Sequence, residues 1–346
     1  MKILYTLLIF IPISIVANLM HVDGTVIFLL SALSIVGLAA VLGKATEDAA
    51  YYLGQRAGGF LNATLGNSAE LLINVFALKA GLLDVVKSSI IGSIIGNILL
   101  VLGLSLLCGG LKHKVQTFNI KAVELNSSML FFAVIGMSIP ALFIHTMDDD
   151  GTKVEELSLV IAAIMFILYL LQIVFTFFTH KEAFESAQEE EMEKPSWSLK
   201  TSIIVLVVVT CFLALESEMF TGSVESITET FGLSQMFVGL ILIPIIGNAA
   251  EHSTAVVMAV KNKMDVAIEV SVGSTLQVIL FVMPALVFIS LIWTPMNLIF
   301  TPFELVVLVC SALITNRIIE DGRSNWIEGF QLLAIYAIIA ISFFIV

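Results

Sequence analysis

Charge is what this sequence has least of. Charged residues make up only 13% of its 346 residues, against about 25% in an ordinary soluble domain. Basic residues are scarcer than acidic ones, 16 Lys and Arg against 28 Asp and Glu, for a net charge of −12. No basic stripe exists to follow a phosphate backbone, so nucleic acid is excluded as a partner. Cysteine is nearly absent: Cys108, Cys211 and Cys310 all lie in apolar runs, which excludes a disulfide scaffold and fits thiols packed in helices. No H-E-x-x-H metalloprotease motif occurs, and no spacing suggests a nucleophile with its base. The run GLAAVLGK at 37–44 is one residue too long for a phosphate loop, and no soluble nucleotide domain is present to drive a pump.

Apolar residues, by contrast, reach 59%, and the mean hydropathy is +1.05. A water-soluble fold of this size cannot hide that much apolar surface. At about 20 residues per span, the length suits roughly ten to twelve membrane helices. Eleven apolar segments can be read, at 3–19, 25–43, 58–78, 87–109, 121–145, 157–179, 200–216, 233–260, 266–292, 299–316 and 326–346. They are continuously apolar, without the dyad alternation of a membrane barrel, and helices satisfy their own backbone groups in lipid. The expected fold is an all-α polytopic membrane protein with about 11 transmembrane helices. The first segment is read as a retained helix rather than a signal peptide, because Asn18-Leu19-Met20 is a poor cleavage site.

Orientation follows from the basic residues. With the N-terminus cytoplasmic, 13 Lys and Arg fall inside and only Lys79, Lys87 and Lys153 outside. The loop EAFESAQEEEME carries six glutamates: Glu182, Glu185, Glu189, Glu190, Glu191 and Glu193. It reads as a solvated cytoplasmic linker or as a cation-sensing regulatory segment. The resulting domain map is an extra N-terminal helix at 1–24, a five-helix repeat at 25–179, the acidic linker at 180–199 and a second five-helix repeat at 200–346.

The two halves are related. At an offset of 181 residues, Gly66-Asn67-Ser68-Ala69-Glu70 falls on Gly247-Asn248-Ala249-Ala250-Glu251. Asp84-Val85 falls on Asp265-Val266, Gly92-Ser93 on Gly273-Ser274, and Ile98-Leu99 on Ile279-Leu280. Two GN-x-x-E copies with constant companions are a strong repeat signal. The first copy lies in a span running outward and the second in one running inward. Inverted-topology repeats of this kind mark transporters whose site lies at the repeat interface near the bilayer midplane.

Glu70 and Glu251 sit within their spans, where a carboxylate costs about 2.5–3.5 kcal/mol on insertion scales. Together they balance one divalent cation. A hard cation such as Ca²⁺ wants about six to eight oxygens. The remainder can come from the amides of Asn67 and Asn248 and from backbone carbonyls freed where Gly66, Gly247 and Pro244 loosen the helices. No cysteine lies in these motifs, which argues against a soft metal. Protons neutralise the same carboxylates, so Ca²⁺ and H⁺ compete for one site, and that competition is the physical basis of antiport. The neighbouring spans add Ser88, Ser89, Ser93 and Asn97 in one half and Glu269, Ser271, Ser274, Thr275 and Gln277 in the other. The serines read as helix packing or as site groups, while Asn97 and Gln277 are amides at similar depth. Gly92 and Gly96 allow close helix approach. His252 can tune the site, relay protons or make a polar contact between helices. Asp148, Asp149, Asp150, Glu216 and Glu218 read as outer-face groups, either solvated or forming a cation funnel.

GNSAELLINVFALKAG and GNAAEHSTAVVMAVKNKMDVAIEVSVGSTLQVILFVMP resemble the two α-repeat motifs of the calcium/proton antiporters, the cation/proton exchanger branch of the calcium/cation antiporter superfamily. GSIIGNILLVLG is similar to that family's companion motif, and the acidic linker to its acidic helix. The resemblance implies that Glu70 and Glu251 are the essential calcium and proton carboxylates, with Asn67, Asn248, Asn97 and Gln277 lining the path. It also implies broken third and eighth helices, and sliding of the second and seventh spans to alternate access. GN-x-x-E in both halves makes sodium coupling less expected than in the related sodium/calcium exchangers. The function expected is exchange of cytosolic Ca²⁺ for external H⁺ with no cofactor. The alternatives are a Na⁺-coupled or Mn²⁺ exchanger and, less favoured, an intramembrane enzyme. The expected setting is an integral protein of a prokaryotic plasma membrane, whose partners are Ca²⁺, H⁺ and the bilayer, with a homo-oligomer left open.

Overall fold

The computed structural model describes residues 2–143, 151–179 and 194–345. Its helices are α1 (Leu4–Leu19), α2 (Gly24–Gly54), α3 (55–65), α4 (Ser68–Lys79), α5 (Leu83–His113), α6 (Ile120–Phe143) and α7 (Lys153–Thr179). The second half contains α8 (Leu199–Phe231), α9 (Gln235–Gly247), α10 (Ala249–Val260), α11 (Met264–Ser290), α12 (Pro302–Ile319) and α13 (Trp326–Ile345). Glu182, Glu185, Glu189, Glu190, Glu191 and Glu193 of the acidic linker lie outside the described residues, as do Asp148, Asp149 and Asp150.

Among the described residues, eight helices are long and apolar enough to cross a bilayer, and α9 with α10 forms a ninth candidate bent by 61°. The chain is therefore an integral membrane protein with eight to nine candidate spans plus shorter helices. Three of the eleven apolar segments do not form full straight spans, and segment 233–260 is the bent pair of α9 and α10. Segment 3–19 gives a short helix. Segment 58–78 is divided at Gly66-Asn67 into α3 and the 12-residue α4. Two short antiparallel strands, β1 (Val115–Thr117) and β2 (Arg323–Asn325), are an addition to the expected all-helical chain.

Local chemistry sets the ends. Asp23 caps α2 by accepting from the Thr25 amide at 2.9 Å, and Gly54 ends it at φ 77°, a conformation open to glycine at little cost. Ser198 caps α8. Thr301 and Glu304 form a reciprocal capping box ahead of α12.

The most apolar stretches of α5 and α11 are 83% and 67% buried, against 28% in α7 and α13. The first pair is thus the centre of the molecule, and the outer helices present their apolar surface to lipid. Small residues let backbones meet at the centre: a Cβ on Gly239 of α9 would lie 2.6 Å from the Val85 carbonyl of α5, and one on Gly92 would run into the Leu240 carbonyl. Polar groups brought together on α4, α5, α10 and α11 are consequently held in a closely packed, largely buried interior.

Candidate ion-binding site

Each GN-x-x-E motif sits at a helix break. In the first, Asn67 stands between α3 and α4, and Glu70 lies in the first turn of α4. In the second, Asn248 stands between α9 and α10, and Glu251 lies in the first turn of α10. Both glutamates therefore lie beside backbone N–H groups that a helix leaves without internal partners, where negative charge is favoured. Wide π-helical turns cover Gly96–Val101 in α5, and Glu269–Gly273 and Val278–Val282 in α11. Such turns frequently accompany functional sites.

The two motifs cross. A Cβ placed on Gly66 would lie 3.2 Å from Glu251 Oε1, and one on Gly247 would lie 3.7 Å from the Glu70 Cβ. Each glutamate thus rests against the glycine of the other motif. Around them runs a polar network. The Asn67 amide donates to Gln277 Oε1 at 2.6 Å. The Ser274 hydroxyl lies 2.8 Å from Glu251 Oε2 and 3.1 Å from Asn67 Oδ1, and its single proton serves one of them at a time. The Asn248 amide donates to Glu70 Oε2 at 3.4 Å and reaches Ser93 Oγ at 3.5 Å, and Ser93 lies beside the Glu70 carboxylate. Asn67 with Ser274 and Asn248 with Ser93 are equivalent pairs at the 181-residue offset, as are Glu251 with Ser274 and Glu70 with Ser93.

Of the expected site residues, the structure brings together Glu70, Glu251, Asn67, Asn248, Gln277, Ser93 and Ser274. Asn97 is buried one turn from Ser93 but joins none of these bonds, and its amide nitrogen has no partner. His252 is half-buried beside Glu251, with Nε2 unpartnered. Glu70 Oε1 is likewise buried without a partner. Among the described residues, no three His, Cys, Asp or Glu side chains converge on one point. The site therefore offers two carboxylates amid neutral amide and hydroxyl oxygens, a donor set that fits a hard cation as substrate.

The surroundings are not symmetric. Glu70 is fully buried, whereas Glu251, His252 and Gln277 keep partial exposure. α9 packs backbone to backbone on α5 at Gly239 and Gly92. Gly273, the repeat equivalent of Gly92, has only Glu269 Cγ within reach of a Cβ, at 3.9 Å. α3 is thus not seated on α11 as α9 is on α5.

One acidic residue differs from its outer-face expectation. Glu216 is fully buried and accepts from Ser14 of α1 at 2.6 Å; its surroundings are helices α1 and α2, which a span count alone could not place there. Glu218, by contrast, is exposed and pairs with exposed Lys79 across α4 and α8 at 2.7 Å. Asn74, one turn after Glu70, is fully buried. It went unremarked in the sequence because its repeat equivalent is Ala255, so the offset comparison does not mark it.

A family model described as sodium/calcium exchanger protein matches residues 24–178 and again 201–345. The chain is 46% identical to the Ca²⁺/H⁺ antiporter ChaA of Bacillus subtilis (strain 168), over 97% of this chain and 96% of that one. It is 45% identical to a Ca²⁺/H⁺ antiporter of Aphanothece halophytica, over 99% of this chain and 96% of that one. The solved structure of native YfkE superposes with a TM-score of 0.87 at 42% identity, covering 99% of this chain and 100% of that one.

Proposed function

The chain belongs to the sodium/calcium exchanger family and is a Ca²⁺/H⁺ antiporter of the calcium/cation antiporter superfamily, and from that premise we propose that Glu70 and Glu251 bind Ca²⁺ or protons in competition, one site serving both ions. The observation that carries this reading is the crossing of the two helix breaks, each glutamate against the other motif's glycine. Two carboxylates facing each other in a largely buried site are unfavourable when both are charged without a counter-ion. One Ca²⁺ neutralises them, and so do two protons. The loaded forms cross the membrane, while the empty, doubly charged form is disfavoured, and this couples the two fluxes.

Asn67, Asn248, Ser93, Ser274 and Gln277 supply or orient the neutral oxygens, with nearby backbone carbonyls completing the shell. Asn97 and His252 flank the path. The two halves are inverted repeats, with the N-terminus and the acidic linker cytoplasmic. In that orientation α3 is the cytoplasmic half of its broken span and α9 the exterior half of its own. The seated α9 and the partial exposure of Glu251 support an inward-open state. Protons entering from outside then drive Ca²⁺ out of the cytoplasm, across a prokaryotic plasma membrane. The test is proton-driven ⁴⁵Ca²⁺ flux in proteoliposomes with Glu70→Gln and Glu251→Gln.

A further inference from the structure

The exterior side of Glu70 carries two buried oxygens that the exchange site does not use. Asn74 and Ser89 are fully buried, and Asn74 Oδ1 and Ser89 Oγ have no hydrogen-bond partner. The Asn74 amide orientation is fixed, because its nitrogen donates to the Glu70 carbonyl at 3.0 Å, and a carbonyl can only accept. Its oxygen is therefore left as a bare acceptor.

Register places the two oxygens at one level. Asn74 lies four residues after Glu70 on α4, and Ser89 four residues before Ser93 on α5. α4 and α5 run antiparallel into the tight turn at 80–82. Both steps therefore lead the same way, about 6 Å along the helix axes toward that turn. In the orientation given above, the turn is on the exterior face. The layer of Glu70 with Ser93 is thus followed outward by a layer of Asn74 with Ser89.

Packing does not require this polarity. The repeat equivalents of Asn74 and Ser89 are Ala255 and Val270, so the same fold is built with apolar groups at these positions in the other half. A buried oxygen left without a partner costs about 1–3 kcal/mol. Two such oxygens at one level beside Glu70 call for a ligand there, and two neutral acceptor oxygens suit a hard cation.

We propose that Asn74 Oδ1 and Ser89 Oγ form an outer step on the ion path, a transient site for the divalent cation between the paired carboxylates and the exterior. The inference rests on the reading of Glu70 as an ion ligand. It makes the path polar beyond the site on the exterior side, whereas the equivalent positions of the second half stay apolar.

The test uses the full-length protein in proteoliposomes of defined orientation, with Ca²⁺ itself as the probe and half-saturation measured separately at each face. Asn74→Ala is expected to raise the exterior half-saturating Ca²⁺ about tenfold, the scale of one lost contact to a charged group, with the cytoplasmic value unchanged. Ser89→Ala moves the exterior value the same way by less. Asn74→Asp moves it the opposite way, a reversal that a merely structural role would not give. Should Asn74→Ala fail to fold, Ser89→Ala and Asn74→Asp carry the test. Equal changes at both faces, or no exterior change in these variants, would overturn the inference, and the exchange reading would survive if Glu70→Gln still abolishes flux. Exchange that persists in Glu70→Gln would instead remove the reading beneath it.

Discussion

Gly66 and Gly247 are equivalent by sequence, and Gly→Ala at the two positions should nevertheless differ sharply. At Gly66 the backbone is ordinary right-handed helix, φ −52° and ψ −49°, so alanine meets no conformational penalty. Helix propensity alone favours it by about 0.8–1 kcal/mol. The new methyl would, however, lie 2.9 Å from the Asn62 carbonyl and 3.2 Å from Glu251 Oε1. The first neighbour is backbone and the second is an ion-binding oxygen, so relief comes by moving the carboxylate or the helix break. Overpacking of this kind costs about 1–3 kcal/mol, and a carboxylate displaced by a few tenths of an ångström weakens Ca²⁺ by about five- to a hundredfold at that cost. At Gly247 the nearest atoms to the methyl are 3.6 Å away, an ordinary van der Waals contact. Gly247→Ala should leave Ca²⁺ binding within about twofold, since no contact is lost and none is compressed. The assay is equilibrium ⁴⁵Ca²⁺ binding to purified protein at one pH. Equal losses in the two variants, or a larger loss in Gly247→Ala, would refute the crossed geometry.

Other substitutions probe separate parts of the structure. Gly92→Ala drives a methyl into the Leu240 carbonyl and should lower the detergent melting temperature, by a cost of about 1–3 kcal/mol or more; unchanged melting would mean that α9 does not sit on α5 as described. Ser14→Ala removes the 2.6 Å donor to buried Glu216. The loss, about 1.5–3 kcal/mol for a bond to a carboxylate, should appear as reduced thermal stability, and a neutral outcome would place Glu216 in water. Thr301→Ala breaks the cap of α12 and should cost about 1 kcal/mol while leaving the half-saturating Ca²⁺ unchanged; a shift in that value would tie α12 to the site. Asn67→Ala removes the 2.6 Å bond to Gln277 and the Ser274 contact and should weaken Ca²⁺ binding with little effect on melting. The reverse pattern would make Asn67 a structural residue.

Much of the site was legible because the repeat marks it. Glu70, Asn67 and Ser93 each reappear at the 181-residue offset as Glu251, Asn248 and Ser274, and these are the residues that meet. Asn74 was invisible to that comparison, because it has no polar equivalent. Glu216 was misplaced because its neighbours along the chain are polar and near a span end, while its burial comes from Ser14, about 200 residues away in sequence. Span counting lost accuracy where the helices break. Gly66 and Asn67 were readable as loosening residues, but the division of their segment into two short helices depends on what packs on each side. The paired strands Val115–Thr117 and Arg323–Asn325 are too short to leave a pattern of their own.

The central claim is that one pair of carboxylates serves both ions, and ⁴⁵Ca²⁺ uptake into proteoliposomes under an imposed pH gradient, without sodium, tests it most directly. The account expects uptake by the unaltered protein that collapses with a proton ionophore and is lost in both Glu70→Gln and Glu251→Gln. Proton-driven uptake that persists in either variant would contradict it.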